Sequence, residues 1–385
     1  MADNKDKKVL NVPALRFPEF TEEWKEERLS KIAELSKGVG ISKEQLSEDG
    51  EPCILYGELY TKYKSEIIHK VISKTNIESS NLKRSKRNDV IIPCSGETAI
   101  DIAVARCVPF DNIILGGDLN IIRLHKDDGA FMAYQLNGKR KIDIAQLAQG
   151  VSVVHLYGEN IKAIKTYNPC LQEQQKIVKL LSMLDERIEV QNKIIEDLKK
   201  LKSAIYQEIF GSLVAQTLEL GQVAEIIKGK QVNGTELLEQ GEYYVMNGGT
   251  TPSGWLNRYN TEANTISISE GGNSCGYVQY NTSRYWSGGH CYSLRILHPQ
   301  ETLDLYLYHF LKWQEDNIMA LRIGSGLPNI QKKDLLRFPV ILPVINKQKS
   351  IISILSVIDA KMACDILLTE HYVIQKKYLL RKLFI

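Results

Sequence analysis

A chain of 385 residues, 43% hydrophobic and 25% charged, is long enough for two or three domains with their own cores, and this balance excludes disordered, collagen-like and disulfide-knot classes. Its formal net charge of +3, from 49 Lys and Arg against 46 Asp and Glu, excludes a protein that coats nucleic acid through bulk basic charge. No apolar run reaches the ~18 residues that span a bilayer, and the charged start MADNKDKKVL has no apolar core behind it, so neither a membrane span nor a secretory leader is expected.

The residues before Leu10 read as a frayed leader. After them the segment VPALRFPEFTEEW (12–24) runs into LSKIAELSKGVGISKEQL (29–46). The stretches RNDVIIPCSGE (87–97) and IILGGDLNIIRLH (113–125) each pair a strand-like run with a polar or Gly-Gly turn. From Leu171 to Phe210 there is neither Gly nor Pro, and Ile177, Leu181, Leu184, Ile188, Ile195 and Leu198 step by threes and fours, with Gln191 polar in the seam. This spacing predicts a long helix with a heptad seam; its register shifts at Leu201, Ile205 and Ile209, and Gly211 ends it. The second globular stretch concentrates Gly, Asn, Ser, Thr and Tyr in loops, as in VMNGGTTPSGWLNRYN (245–260) and NTISISEGGNS (264–274), before WSGGHCYSLRIL (286–297). From Val344 to Ile385 a second Gly- and Pro-free segment repeats the seam with Ile351, Leu355, Ile358, Met362, Tyr372, Leu379 and Leu383. At 1.5 Å per residue each helix is about 60 Å long, and the simplest partner for each is the other.

The two helices are copies. PCLQEQQKIVKLLSMLDERI (169–188) aligns without gaps to PVINKQKSIISILSVIDAKM (343–362), placing Pro169 on Pro343, Gln174 on Gln348, Leu181 on Leu355, Ser182 on Ser356 and Asp185 on Asp359. At the far ends Phe210 falls on Phe384. Residues 29–46 align with 220–237, matching Ala33 to Ala224, Glu34 to Glu225, Lys37 to Lys228 and Gly38 to Gly229; later in each half Gly150 matches Gly326 and Ile161 matches Leu335. A period this long is a duplication rather than a solenoid. The chain reads as globule, helix, globule, helix, an α+β organisation with boundaries at 1–170, 171–212, 213–343 and 344–385.

A search for chemistry returns little. The sequence holds no G-x-x-x-x-G-K-[ST] loop, no G-x-G-x-x-G after a strand, no H-E-x-x-H and no EF-hand loop, and Asn168-Pro169-Cys170-Leu171 is not the Asn/Asp-Pro-Pro-aromatic motif of an amino-methyltransferase. Gly272-Asn273-Ser274-Cys275-Gly276 matches the G-x-S-x-G hydrolase elbow, with Asp304 and His309 downstream, but GYVQYNTSRYW behind it reads as a strand where the elbow needs a helix. His290 beside Cys291 would point to the opposite face of a strand. Cys53, Cys94, Cys107, Cys170, Cys275, Cys291 and Cys364 are scattered singly without a C-x-x-C pair, so we expect reduced thiols in a cytoplasm and no metal site.

The opening VPALRFPEFTEEW with LSKIAELSKG, and the repeated helix start at 169–185 and 343–359, resemble the specificity subunits of type I restriction-modification enzymes. The resemblance implies two α/β target recognition domains, each reading half of a bipartite asymmetric double-stranded DNA sequence. It also implies an antiparallel coiled coil of the two helices in a pseudo-two-fold particle. The implied partners are two modification (methyltransferase) subunits and restriction (helicase-nuclease) subunits. S-adenosylmethionine and ATP/Mg are then expected on those partners, with no cofactor and no catalytic residue in this chain. The rival from another class is a coiled-coil interaction scaffold that does not bind DNA.

For phosphate contact the sequence offers the cluster Lys83, Arg84, Lys86 and Arg87, and the repeat-matched Lys37 and Lys228 with Lys230 nearby. For base reading, loop residues able to form paired hydrogen bonds are Asn247, Arg258, Asn273 and Arg284 in the second globule. Tyr56, Glu58, Ser95, Glu97 and Arg106 are the comparable choices in the first. Ser152 and Asn329-Ile330-Gln331-Lys332, before the last strand of each half, are further candidates.

Overall fold

The computed structural model describes residues 10–77, 81–324, 326 and 328–385, so the leader read before Leu10 lies outside the described residues. Residue contacts divide the chain into two units. Unit 1 ends at Asn192 and takes back Leu367–Ile385, and unit 2 is Lys193–Ile366. The division falls inside each long helix rather than at its start, because the two halves of each helix pack into different cores.

In unit 1 an antiparallel four-stranded sheet is built from β1 (Ala33–Lys37), β2 (Asp89–Pro93), β3 (Arg106–Val108) and β4 (Leu119–Leu124), in the order β1-β4-β2-β3. Every residue of β2 is buried, so this strand is covered on both faces. Val90 and Ile92 join Ile122 beneath helix α1 (Gly129–Asn137), while Ile91 joins Ile121, Val108 and Leu59 on the other side. There Glu51–Ile54 pairs in parallel with Ile114–Leu115.

The 41-residue helix α2 (Leu171–Gly211) begins in unit 1. Ile177, Leu181 and Leu184 pack with Trp24, Phe131, Tyr134, Leu379, Leu383 and Phe384. The seam is therefore shared three ways, with α1 as well as with the second long helix. Gln174 fixes the helix start. Its amide donates to Asp127 Oδ1 (2.7 Å) and Pro169 O (2.9 Å), and its carbonyl accepts from the Asp128 N–H (2.8 Å).

Unit 2 repeats the plan with β5 (Ala224–Lys228), β6 (Thr265–Ser269), β7 (Val278–Asn281) and β8 (Cys291–Ile296), in the matching order β5-β8-β6-β7. Tyr243–Met246 pairs in parallel with Trp286–Ser287, as its counterpart does in unit 1. Helix α3 (Asp304–Trp313) covers the sheet, and the 38-residue α4 (Ile345–Lys382) supplies Ile351 and Leu355 to the core beside Tyr206 and Phe210 of α2. Gln348 repeats the clamp: it donates to Glu301 O (2.7 Å) and Pro343 O (2.8 Å) and accepts from the Leu303 N–H (2.9 Å). Gln348→Ala strands these partners inside the fold and should destabilise unit 2 by about 1–3 kcal/mol, read by chemical denaturation.

The other face of this sheet explains why the halves diverge in sequence. Where unit 1 has a second apolar layer, β6 presents Ser267 and Ser269. Asn281 donates to Ser267 Oγ (2.9 Å) and accepts from the Tyr244 hydroxyl (3.1 Å), and Tyr244 stacks on Tyr285 at 5.5 Å.

Within each unit the long helices pair antiparallel through equivalent charges. In unit 1 Lys376 of α4 bonds Asp185 of α2 at 2.5 Å and also Glu66, while Arg187 faces Tyr372. In unit 2 Lys202 of α2 bonds Asp359 of α4. Seam residues Ile195 and Ile358 are buried, whereas Ile188, Leu198, Met362 and Tyr372 are half-buried.

Beside the second pair lies His309, 1% exposed, where unit 1 has Tyr134. Its Nδ1 is 2.9 Å from the Tyr206 hydroxyl. Burial, reinforced by Lys202 and opposed by Asp359, depresses its pKa from 6.5 to about 4. Above pH 6.5 the imidazole is neutral in the folded and unfolded chain alike. Between 6.5 and 4 the unfolded chain takes up a proton that the fold refuses, so unit 2 loses up to about 1.4 kcal/mol per pH unit as pH falls. His309→Gln should flatten that stretch of the stability curve; an unchanged slope would contradict a neutral buried imidazole.

Candidate nucleic-acid interface

Strand register gathers the loops at one end of each sheet. In unit 1 Lys37 of β1 lies opposite Asn120 at the start of β4, and Leu119 lies opposite Pro93 at the end of β2. Lys37–Val39, Cys94–Glu97 and Gly116–Asp118 therefore meet. The Gly116 N–H donates to Ile54 O, which brings Tyr56 to the same end, and Ser95–Gly96 pairs with Val154–His155. A Cβ on Gly38 would stand 1.9 Å from Gly116 O, and one on Gly229 would stand 2.1 Å from Gly288 O. Both repeat-matched glycines are required by the same close crossing of two chain segments. We term this the loop end; the opposite, helix end is tied to α2 through Asp127, Asp128 and Gln174.

At the loop end of unit 1, exposed Lys37 lies 6.0 Å from the Tyr157 ring, which stacks on His155 at 6.3 Å. Lys37, Tyr157, Glu159 and Lys162 line a cleft of about 180 Å³. Ser95 donates to Asp118 Oδ2 (3.1 Å), and Glu97 is exposed. Tyr60 stands close to Gly96, and burial raises its phenol pKa, with Tyr56 and Glu97 adding to the shift.

The loop end of unit 2 collects Lys228, Lys230, Asn247, Asn273, His290, Asn329 and Lys332. Lys228 donates to Glu270 Oε1 (2.6 Å), which also accepts from the Tyr292 hydroxyl (3.1 Å). Asn247 Oδ1 accepts from the His290 N–H (3.1 Å), and Gly271 bridges to Asn329. Asn273, Asn329 and Lys332 are exposed.

Other sequence candidates lie elsewhere. Glu58 is buried, accepting from the Leu55 N–H (3.1 Å), Lys62 (2.7 Å) and Ser73, because it closes the turn after Glu51–Ile54. Arg106 is 7% exposed and donates to Leu59 O (3.1 Å) and Tyr63 O (2.9 Å), and burial lowers its pKa. These two side chains hold unit 1 together and leave the candidate face. Lys83, Arg84, Lys86 and Arg87 precede β2, at its end away from Ser95 and Glu97, and Arg84 is bonded twice to Glu51, at 2.6 and 2.9 Å. Arg258 pairs with Glu236 (2.5 Å) and covers Trp286, while Arg284 pairs with Glu262 (2.9 Å) and covers Tyr259. Arg284 follows the end of β7 that points away from Lys228, at Asn281, whereas Arg258 borders the loop end, because the Trp286 indole it covers donates to Lys230 O (2.9 Å).

Sequence reasoning missed Tyr60, His155, Tyr157 and His290 at the loop ends. It also matched Gly150 to Gly326, whereas the pairings equate Gly150 with Gly324. Each follows the first residue of an antiparallel bridge, Gln149 to His155 and Ile323 to Asn329, and their φ angles are +122° and +98°. The hydrolase elbow is not formed. Strand β7 follows Ser274, Asp304 accepts from the Tyr280 hydroxyl (2.5 Å), and His309 bonds Tyr206. Among the described residues no cluster of His, Cys, Asp and Glu is arranged to hold a metal, and no helix is long and apolar enough to cross a membrane.

The family model described as the type I restriction modification DNA specificity domain matches the chain twice, over residues 21–200 and 215–366. The chain is 38% identical over 144 residues to a type I specificity subunit of Mycoplasma pneumoniae, and 35% identical over 140 residues to one of Mycoplasma genitalium. These alignments take in 37% and 36% of this chain but only 38% and 36% of those relatives. A type I restriction enzyme specificity subunit of Methanocaldococcus jannaschii aligns over 91% of this chain and 90% of its own length at 22% identity. The crystal structure of a type I restriction-modification S subunit from M. genitalium superposes with a TM-score of 0.68 at 20% identity, covering 97% of this chain and 99% of the other. A chain from a structure of the type I R-M system, described for its complex assembly and conformational transition, gives 0.55 at 17% identity over 94% and 97%. The two superpositions establish a shared fold.

Proposed function

The chain belongs to the type I restriction modification DNA specificity family, and from that premise we propose that it is the DNA-recognition subunit of such a complex, each unit reading one half of a bipartite asymmetric target with its loop end. One observation carries this reading. The same strand crossing is built twice around Gly38 and Gly229, while the side chains it displays differ between units. Identical scaffolds with different tips suit two different half-sites.

The partners of this reading are two modification subunits, which bind S-adenosylmethionine and methylate adenine, and restriction subunits that use ATP and Mg. The chain itself is non-catalytic and acts in the cytoplasm. Docking on the outer faces of the long helices is supported by equivalent exposed apolar residues: Met183 in unit 1 with Val357 in unit 2, and Ile194 in unit 2 with Leu368 in unit 1. The nearly balanced charge of the whole chain implies that much of the backbone attraction comes from the modification subunits.

The test is to express the full chain with its modification subunit and sequence the methylated adenines. A bipartite motif is expected; methylation without any sequence motif would refute the proposal. Lys37→Ala with Lys228→Ala should weaken binding to all sequences and reduce the salt slope by about 2, one unit per phosphate contact. Lys86→Ala with Arg87→Ala, at the helix end, should change neither by more than about two-fold. Arg284→Ala should leave the motif intact.

A further inference from the structure

One short segment at the loop end keeps its backbone in both units and changes its side chains: His155-Leu156-Tyr157 in unit 1 and Asn329-Ile330-Gln331 in unit 2. The middle residue is the anchor. Leu156 and Ile330 are buried, and their N–H groups donate to Cys94 O (2.7 Å) and Glu270 O (2.8 Å), the residues that follow β2 and β6. The first residue is bridged on two sides, His155 to Ser95 and Gln149, Asn329 to Gly271 and Ile323. The third is extended, Tyr157 at φ −86° and ψ 138° and Gln331 at φ −77° and ψ 138°, and each leads into a short helical turn, Gly158–Ile161 or Lys332–Leu336.

In such backbone the first and third side chains leave on one side, opposite the buried anchor. The His155 and Tyr157 rings do so, stacked 6.3 Å apart, and all four outer residues are exposed. In unit 1 the pair is aromatic, with Lys37 6.0 Å from the Tyr157 ring. In unit 2 it is two amides, and among the described residues neither the Asn329 nor the Gln331 side chain has a hydrogen-bond partner. An amide presents a donor and an acceptor side by side, which matches the N7 acceptor and N6 amine of adenine in the major groove. Neither ring of the unit 1 pair offers that arrangement. Of the two amides Gln331 has the longer reach, and its counterpart Tyr157 lines the cleft beside Lys37.

We propose, resting on the DNA-recognition reading above, that Gln331 determines specificity at one position of the unit 2 half-site through paired hydrogen bonds to an adenine in the major groove. The fixed backbone beneath it makes this a preformed contact, so the glutamine gives up only its own side-chain freedom on binding.

The experiment uses the full chain in complex with its modification subunit and duplexes of the target found by sequencing methylated adenines. Each adenine of the target other than the methylated ones, on either strand, is replaced in turn by 7-deazaadenine, which keeps the Watson–Crick edge and lacks only the N7 acceptor. At one position sensitive to Gln331 the wild-type complex should lose about five-fold in affinity, the worth of one hydrogen bond. Gln331→Ala should bind the unmodified duplex about ten-fold less tightly, ignore the N7 replacement there, and methylate a motif that is degenerate at that position alone. Gln331→Glu has the same shape but cannot donate to N7, and should likewise lose the preference for adenine. Tyr157→Ala, at the matching place in unit 1, should leave that position unchanged. Equal affinity for every 7-deazaadenine duplex, a target with no adenine beyond the methylated ones, or N7 sensitivity that survives in both Gln331 variants would each overturn the proposal. An equal loss on all sequences with the motif intact would overturn it in favour of a phosphate contact. Gln331 variants that no longer assemble with the modification subunit would overturn it in favour of a protein contact. Absence of any sequence-selective binding by the wild-type complex would instead refute the DNA-recognition reading, and this proposal with it.

Discussion

Lys376→Ala should destabilise unit 1 by about 3–5 kcal/mol, because it removes the cation that is bonded to two buried carboxylates. Lys376 is 13% exposed, and its partners Glu66 and Asp185 are 8% and 6% exposed. Tyr134 and Ser65 also donate to Asp185, at 2.6 and 3.3 Å, but neither supplies charge. Asp185→Asn in the Lys376→Ala background should recover a large part of the loss, which a double-mutant cycle in chemical denaturation measures. The equivalent Lys202→Ala provides the control. Its partner Asp359 is 36% exposed and can turn to water, so the loss there should be about 1 kcal/mol or less. Equal losses at the two lysines would show that burial of the carboxylates is not what sets the cost.

How much of this was legible before the structure depends on the kind of signal. The two long helices and their copying are written in Gly- and Pro-free stretches with periodic apolar residues, and they appear as α2 and α4 within a few residues of the expected ends. Repeat-matched polar residues were visible, and the structure shows why they match: Gln174 and Gln348 clamp helix starts, and Asp185 and Asp359 meet the lysine of the other helix. Charge along the chain was a poorer guide. Arg258 and Arg284 find carboxylates 22 residues away, a pairing that no local pattern encodes. The cluster at 83–87 is dense in sequence but stands at the end of β2 opposite Ser95 and Glu97, because strand direction rather than composition decides which loops meet. The unit boundary was hidden for a related reason: a continuous helix gives no sign of changing cores halfway along.

That change of cores sets up the second large effect. Phe210 near the end of α2 and Phe384 beyond the end of α4 are repeat-matched, yet each belongs to a different unit. Phe210 is 5.3 Å from Trp313, 5.7 Å from Phe310 and 6.0 Å from Tyr306. Phe384 is 5.2 Å from Phe131 and 6.3 Å from Trp24. Truncating either ring to alanine removes a fully buried aromatic and should cost about 3–5 kcal/mol. The damage should be local. Phe384→Ala should loosen α1, seen as faster amide exchange across Gly129–Asn137, whereas Phe210→Ala should loosen α3, seen as faster exchange across Asp304–Trp313. On the proposed reading, Phe210→Ala should relax the half-site assigned to unit 2 in the assembled complex, and Phe384→Ala the other. Faster exchange across both helices in each variant would mean that the two cores melt as one and that the half-sites cannot be loosened separately.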